Sequence, residues 1–347
     1  MEILAILRFI ALLSILIFVH EGGHFLIARL FGVAVEEFGF GIPPRLWGKK
    51  IGGTVYSLNL LPIGGFVRLK GEEGETLGFG GADSFAVQSK FKRAGIVAAG
   101  ALGNFLLAWL VFSLLWGLGK NVPAGKVLVN EVSLGSPAAL AGLAEGDHIL
   151  SFNEETVETA EELLDLTQES LGKSAVLGFE RDGEAASVSI VPRANPPEGE
   201  GPLGVEITTA VKEEKAPFWQ TPWFGLQETF QTLAAMLKGL GQTVTSLFQG
   251  EEIQIGGPVA IYAFSKVYAD GFKPFIDFMA LLSLNLVVVN LLPIPALDGG
   301  RILFIGIEAI RRKKLSPRTE AAINSVGLAI LIMLIVLLSV RDIRTFF

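Results

Sequence analysis

The chain has 347 residues, half of them hydrophobic and 18% charged, with a net charge of −7 and a mean hydropathy of +0.52. This balance excludes an ordinary soluble domain and indicates insertion into a membrane. Cysteine is absent, which excludes a disulfide framework and a thiol nucleophile and restricts any zinc ligands to histidine and carboxylate. No basic tract interleaved with aromatic residues indicates a nucleic-acid partner.

Four apolar segments are long enough to span a bilayer: residues 3–30, 94–118, 275–297 and 323–340. The first segment begins the chain and contains Arg8, as a signal peptide would. Its apolar run is too long for a signal peptide, however, and no clear small-residue cleavage site follows closely. We therefore expect four retained membrane helices.

The second half of the first segment contains the motif His20-Glu21-Gly22-Gly23-His24. Histidine and glutamate are costly in hydrocarbon, so their presence indicates a function. His20 and His24 are four residues apart and project from one helix face, as two ligands of one metal ion must. Glu21 lies about 100° round the helix, where it can reach a metal-bound water without being a ligand.

The basic residues indicate which way the segments run. Lysine and arginine crowd residues 45–93 and residues 301–318. The positive-inside rule places both stretches in the cytoplasm, so residues 120–273 and both chain ends lie outside. The first and third segments then run in the same direction, and their inner ends lie at similar depth.

The third segment ends in residues 290–300, which bring a carboxylate to that depth. Asp298 is the expected third ligand, because a catalytic zinc takes three protein ligands and keeps one open position. Pro293 and Pro295 break the helix, and Gly299-Gly300 is expected to permit an unusual backbone, which is tolerated at this depth only beside a wet cavity or within protein. Taken alone, these glycines fit a simple turn leaving the membrane equally well.

These motifs, with Gly100-Ala101-Leu102-Gly103-Asn104 at the start of the second segment, resemble the site-2 protease family of intramembrane zinc metalloproteases. Within that family the chain is similar to the bacterial regulator-of-sigma-E protease branch with one PDZ domain. The resemblance covers essentially the whole chain. Ala101 departs mildly from the family pattern, since many members have proline there.

The resemblance implies one Zn²⁺ per chain, held by His20, His24 and Asp298, with Glu21 as general base. It also implies that Asn290 helps to hold the substrate backbone. Gly22 and Gly23 each cost up to about 1 kcal/mol in a helix interior, and we expect them to leave room for the substrate near the metal. The residues expected to support the motif geometry are Gly100, Asn104, Pro293 and Gly299.

Residues 54–67 are apolar, broken by glycine, and rich in strand formers. By resemblance they form a membrane-associated β element beside the active site, with Asn59, Gly64 and Gly65 contacting substrate. An exposed strand edge would pair with the amides of an unwound membrane segment, which otherwise lack partners. The alternative is an ordinary cytoplasmic hairpin.

Residues 125–193 resemble a bacterial PDZ domain, whose groove accepts an extended peptide by strand addition; the alternative is a simple spacer. Residues 195–202 read as a linker. Residues 219–248 carry aromatic residues and few charges, and we expect them to lie on the outer membrane surface or to form a packed helix. The predicted divisions are residues 1–118, 119–205 (the PDZ-like domain), 206–274 (linker and interfacial helix) and 275–347.

The predicted fold class is therefore a mainly α membrane protein with four transmembrane helices, a membrane-associated β element and an inserted α+β PDZ-like domain. The predicted function is that of an intramembrane zinc endopeptidase in the bacterial cytoplasmic membrane. Expected partners are the lipid bilayer, single-span proteins such as anti-sigma factors or remnant signal peptides, and an upstream site-1-type protease. An inactive PDZ scaffold with a structural metal, and a transporter with an ion site at the broken helix, are the alternatives.

Overall fold

The computed structural model describes residues 2–72, 81–197, 199–250, 256–268, 271–313 and 315–346. Glu198 of the predicted linker and Lys314 of the second basic stretch lie outside these ranges. The chain divides into two compact units: the membrane unit, residues 1–117 and 217–347, and the insert unit, residues 118–216.

The elements in chain order are α1 (Glu2–Leu30), β1 (Val35–Ile51), β2 (Thr54–Leu69), a 3₁₀ turn (Phe85–Val87), α2 (Lys90–Leu118), β3 (Lys120–Val132), α3 (Pro137–Ala141), β4 (His148–Phe152), β5 (Glu155–Thr156), α4 (Ala160–Glu169), β6 (Ala175–Arg181), β7 (Glu184–Ile190), β8 (Val205–Glu214), α5 (Thr221–Gln249), α6 (Pro258–Val267), α7 (Phe272–Leu291), α8 (Asp298–Arg311) and α9 (Pro317–Phe346).

Within the described residues, α1, α2, α7 and α9 are long and apolar enough to cross a membrane, which confirms the expectation of four spans. The predicted end of the third segment at residue 297 is wrong. Helix α7 ends at Leu291, because Leu292 adopts an extended conformation before Pro293. A short turn follows, and Asp298 begins the separate helix α8.

Helices α1 and α2 pack with their backbones in contact. A β-carbon on Gly23 would collide with the Ala99 carbonyl, and one on Gly103 would lie 2.8 Å from the Val19 carbonyl oxygen. Small residues allow such close approach in membranes, where no hydrophobic force drives helices together. This contact places the second half of α1 directly against the first half of α2.

Strands β1 and β2 form the predicted β element beside α1. Residues 35–40 lie in the middle of the sheet: they pair with residues 65–69 on one side and with residues 55–58 on the other. The Ser14 hydroxyl of α1 donates to the Pro62 carbonyl at 2.8 Å, and Gly64 packs on Ile17. The inner strand segment, residues 65–69, therefore follows α1 toward the histidine motif.

Helix α5 packs on α2 through its first turns. The Trp109 indole donates to the Pro222 carbonyl at 2.8 Å, and the Trp116 ring stacks on Phe224. Other aromatic residues, such as Trp223, are exposed. One face of α5 therefore packs against α2. The prediction that its exposed face lies on the membrane surface stays a prediction.

Helix α6 is capped by a distant carboxylate. The buried Asp342 of α9 accepts hydrogen bonds from the Gly257 and Ala260 N–H groups, both at 2.9 Å. These N–H groups lie at the start of α6, where a helix has no partners of its own for them. The far end of the last membrane helix is thereby attached to the rest of the unit.

The insert unit contains a sheet of strand order β7-β6-β4-β3-β8, with β5 paired to β4. Strand β6 alternates buried and more exposed side chains, and α4 covers one side of the core with the fully buried Leu163. Asp182 and Gly183 form the predicted turn between β6 and β7, both with positive φ, as a two-residue hairpin turn requires.

The predicted boundary of this domain at residue 205 is wrong, because the sheet continues through β8. Strand β8 pairs with β3 from Val205 opposite Val132 to Glu214 opposite Lys120. The linker that was predicted to begin at residue 206 therefore begins only after β8, and the compact unit ends at residue 216.

An ion pair with a buried carboxylate joins the loop after α3 to the end of β6. Asp147, whose side chain is 1% exposed, accepts from Arg181 at 2.7 and 2.8 Å and from the Ala144 N–H at 2.8 Å. Burial raises the pKa of Asp147, but the hydrogen bonds from Arg181 and Ala144 outweigh it, so the pKa lies below its ordinary value.

This ion pair makes the stability of the insert unit dependent on pH. A carboxyl whose pKa is lowered by folding stabilises the fold above its unfolded pKa of about 3.9, and the stabilisation is lost as the pH falls. We expect Asp147→Asn to lower the free energy of unfolding of residues 118–216 by about 1 kcal/mol at pH 7, discounted for the half-exposed Arg181. The difference should shrink toward pH 3.

Urea denaturation followed by circular dichroism at pH 7 and pH 3 measures this effect. Asp165→Asn is the matched control, because Asp165 is an exposed acid on α4. An Asp147→Asn effect that is equal at both pH values would contradict the assignment.

Candidate metal centre

Three donor atoms from two helices meet in the membrane unit. The Nε2 atoms of His20 and His24 lie 3.2 Å apart. Asp298 Oδ2 lies 3.0 Å from His20 Nε2 and 3.3 Å from His24 Nε2. All three side chains are mostly buried, and among the described residues they form a group able to hold a metal ion. Residues from opposite ends of the chain, 278 positions apart, are thus brought together.

The spacing of these donors fits zinc. Zn–N and Zn–O bonds of about 2.0–2.1 Å at tetrahedral angles separate neighbouring ligand atoms by about 3.3 Å. The three distances in the structure lie between 3.0 and 3.3 Å. Two imidazoles and one carboxylate are also the ligand types that catalytic zinc sites use. The part of the chain that the structure describes supplies three such ligands here, which leaves a fourth position open.

The geometry of the two imidazoles depends on α2. His24 Nδ1 lies 2.8 Å from the Ile96 carbonyl, which fixes the ring orientation and directs Nε2 toward the other donors. Gly100, one turn later, lies against both rings: a β-carbon there would be 2.6 Å from His20 Nε2 and closer still to His24 Nε2. Gly100 of the Gly-x-x-x-Asn pattern is therefore the residue that makes space for the metal ligands.

Glu21 lies beside the donors and next to the β element. Its Oε2 atom accepts a hydrogen bond from the Val67 N–H at 3.1 Å, and Gly65 lies against its Cγ atom. The carboxylate therefore stands between the metal ligands and the inner strand segment. This is the position expected for a base that acts on a reactant held between zinc and a strand.

A cavity of about 290 Å³ opens onto these groups. One wall is the inner strand segment and another is the start of α2. Its lining residues are His20, Glu21, His24, Phe66, Val67, Arg68, Leu69, Glu72, Phe85, Ile96, Val97, Asp298 and Arg301.

Two charged residues of the cavity lining, Arg301 and Glu72, are absent from the predicted site. Arg301 follows Asp298 by three positions on α8, so it shares a helix face with that ligand. It forms an ion pair with Glu72, which follows the end of β2. Helical spacing from Asp298 would have found Arg301, whereas no local pattern marks Glu72 as its partner.

The other predicted substrate contacts lie outside the cavity lining. The Asn59 amide donates to the Phe40 and Gly41 carbonyls, both at 3.1 Å, and so supports the bend of the β element. Gly64 has a φ of +77° and lies on Ile17. Asn290 is half-buried in the last turn of α7. Their contacts with a substrate stay predictions.

The expected role of two glycine pairs needs correction. Gly23 allows α1 to touch α2, and only Gly22 has open space beside it where a substrate would fit. Gly299 and Gly300 are helical, so they do not provide an unusual backbone. Both positions require small residues, because the first turn of α8 packs directly on the carbonyls of the preceding turn, which contains Pro293.

A pair of histidines on an apolar helix, an aspartate from a second helix and an adjacent glutamate are the residue types that a zinc-dependent peptidase site uses. Peptidase family M50 matches residues 8–334, and the chain belongs to this family. It is a zinc metalloprotease of the membrane. This membership favours the enzyme over the scaffold and transporter alternatives.

Similar proteins extend over the whole chain. The "Regulator of sigma-W protease RasP" of Bacillus subtilis is 30% identical, with 99% of both chains covered. The "Zinc metalloprotease RasP" of Geobacillus kaustophilus is 29% identical over 99% of this chain and 98% of its own length. Among solved structures, the PDZ domain of the SdrC-like protein from Listeria monocytogenes is matched at 20% identity and a TM-score of 0.23, covering 25% of this chain and 93% of that domain.

The contact of Gly100 with both imidazoles gives a test of the site. We expect Gly100→Ala to push the two rings away from Asp298 and to lower the zinc content of the purified protein at least severalfold. Gly22→Ala is the matched control: it makes the same chemical change beside open space, so zinc content should stay at the wild-type value. Metal analysis of both variants in detergent measures this, and full zinc content in Gly100→Ala would contradict the geometry.

Proposed function

We propose that this zinc metalloprotease hydrolyses peptide bonds within membrane segments, with His20, His24 and Asp298 as the zinc ligands and Glu21 as the general base. The observation that supports this proposal is the convergence of three donor atoms at zinc spacing beside a carboxylate. The donors lie in or next to helices that are apolar enough to span a bilayer.

The chemistry divides between the metal and the side chains. When bound, zinc polarises the scissile carbonyl and makes a water ligand acidic near neutral pH. Glu21 takes the proton of the attacking water while the C–O bond forms. It then delivers that proton to the leaving nitrogen as the C–N bond breaks, so the carboxylate is regenerated in each cycle. The low exposure of the three ligands keeps bulk water from competing for them.

The inner strand segment provides a means of holding the substrate. A transmembrane helix hides its peptide bonds in its own hydrogen bonds, so it must unwind before cleavage, and the freed amides then need partners. Residues 65–69 have one edge paired with residues 35–40, while the other faces α1 and the cavity. A substrate paired along that second edge, in place of Glu21 on the Val67 N–H, would pass between Val67 and the metal ligands.

The substrates that fit this site are single-span membrane proteins trimmed on their outer side. Anti-sigma factors are one such class, in line with the sigma-W regulator named in the similar protein of Bacillus subtilis. Remnant signal peptides are the other. A site-1-type protease would supply the trimmed substrate in either case. We further propose the bacterial cytoplasmic membrane as the location, with the insert unit and both termini outside, because the basic loops favour the inner side.

Replacing the proposed base should separate chemistry from metal binding. We expect Glu21→Gln to retain one zinc per chain and to lose at least 10³-fold in kcat, since the amide has the size of the carboxylate but cannot take a proton. Zinc analysis and an assay on a purified single-span substrate measure both. Asp298→Asn should instead lose zinc as well as activity, and undiminished cleavage by Glu21→Gln would end the assignment.

Strand pairing predicts a backbone effect at Val67. Val67→Pro removes the N–H that points into the cavity, so we expect at least a tenfold loss in kcat/KM on a membrane-segment substrate. Val67→Ala keeps the N–H and should retain most of the activity. Zinc content serves as the check of folding in both variants, and equal activity with full zinc content would contradict substrate pairing at this residue.

A further inference from the structure

The second ring nitrogen of His20 needs a partner that the metal ligands do not provide. A neutral imidazole that binds metal through Nε2 carries its proton on Nδ1, and this N–H normally donates to an outer acceptor. His24 satisfies the rule through the Ile96 carbonyl. His20 Nδ1 is buried and forms no hydrogen bond within the described part of the chain.

Asn104 on α2 is the second buried polar group without a partner. It is completely buried, and neither its amide oxygen nor its amide nitrogen forms a hydrogen bond among the residues that the structure describes. The Ser283 hydroxyl donates to the main-chain carbonyl of Asn104 at 2.9 Å and leaves the side chain unused. Buried polar groups in folded proteins are nearly always paired, so an unused amide calls for an explanation.

The two groups belong to α1 and α2, whose backbones are in contact near both residues. A β-carbon on Gly100 would lie 2.6 Å from His20 Cε1, the ring atom between the two ring nitrogens. Asn104 follows Gly100 by four residues and therefore lies on the same face of α2. Helical side chains lean toward the helix N-terminus, so the Asn104 amide leans toward the turn of Gly100, where the His20 ring lies. The neighbouring Gly103 contacts Val19, which confirms the antiparallel match of the two helices at this level.

We propose that Asn104 is a positioning residue for the metal site: its amide oxygen accepts the Nδ1 proton of His20, directly or through one buried water. The inference rests on the proposed role of His20 as a ligand. The proposed hydrogen bond pairs the two unused groups with each other and sets the tautomer of His20 that presents Nε2 to the metal. The Gly-x-x-x-Asn pattern then has one chemical purpose: the glycine makes space for the imidazoles and the asparagine orients one of them.

The test compares Asn104→Leu, which removes the acceptor at similar size, with Asn104→Asp, which keeps an acceptor. Zinc affinity of the full chain in detergent is measured by competition with a chelator, and the visible spectrum is recorded after Co²⁺ replaces Zn²⁺. We expect Asn104→Leu to bind zinc 10- to 100-fold more weakly and to change the Co²⁺ spectrum. Asn104→Asp should lie much closer to wild type in both measurements.

A matched control is Thr229→Val on α5. Thr229 is also a fully buried polar residue of the membrane unit, but its hydroxyl donates to Gly225 of its own helix. The zinc affinity of the Thr229→Val variant should equal that of the wild type. Wild-type affinity and spectrum in Asn104→Leu would overturn the inference, and so would equal losses in Asn104→Leu and Asn104→Asp, which would indicate packing alone. Failure of the wild type itself to bind zinc would instead overturn the proposed metal site, and this inference with it.

Discussion

The contact between the backbones of α1 and α2 is the constraint on which the metal site depends. Lipid offers no hydrophobic force to hold two helices together, so they must fit closely along small residues. Gly23, Gly100 and Gly103 provide that fit. At this separation the Ile96 carbonyl reaches His24, and both imidazoles have room beside Gly100. A wider separation would remove the acceptor of one ligand and the lateral support of both.

The third ligand is positioned by a separate contact. Asp298 opens α8, whose first turn lies on the carbonyls of the turn that ends α7. The other end of α8 is attached to the start of α2 by the ion pair between Arg93 and Glu308, at 2.7 Å in a mostly buried setting. Helix α2 thus supports the histidines and anchors the helix that carries the aspartate. The three donors share a scaffold although they come from distant parts of the chain.

The sequence predicted which side chains converge at the candidate site, but it did not predict how the helices that carry them pack. Helical spacing placed His20 and His24 on one face, and the charge bias brought Asp298 to their depth. Neither argument gives the direction from which a helix approaches, so the contact between Gly23 and α2 could not be foreseen. Strand β8 was missed for a similar reason, because its partner β3 lies more than 70 residues earlier and only the pairing defines the domain end.

The hydrogen bond between Glu21 and Val67 would couple peptide binding on the strand to the hydrogen bonding of the carboxylate. One N–H serves the carboxylate before a peptide arrives and would serve the peptide afterwards. A bound peptide and the Glu21 carboxylate would therefore compete for the same donor, and thermodynamic linkage would make the competition reciprocal. A change that weakens the acceptor strength of Glu21 strengthens the hold of the strand on a bound peptide. The proposed general base would thus contribute to ligand affinity as well as to rate.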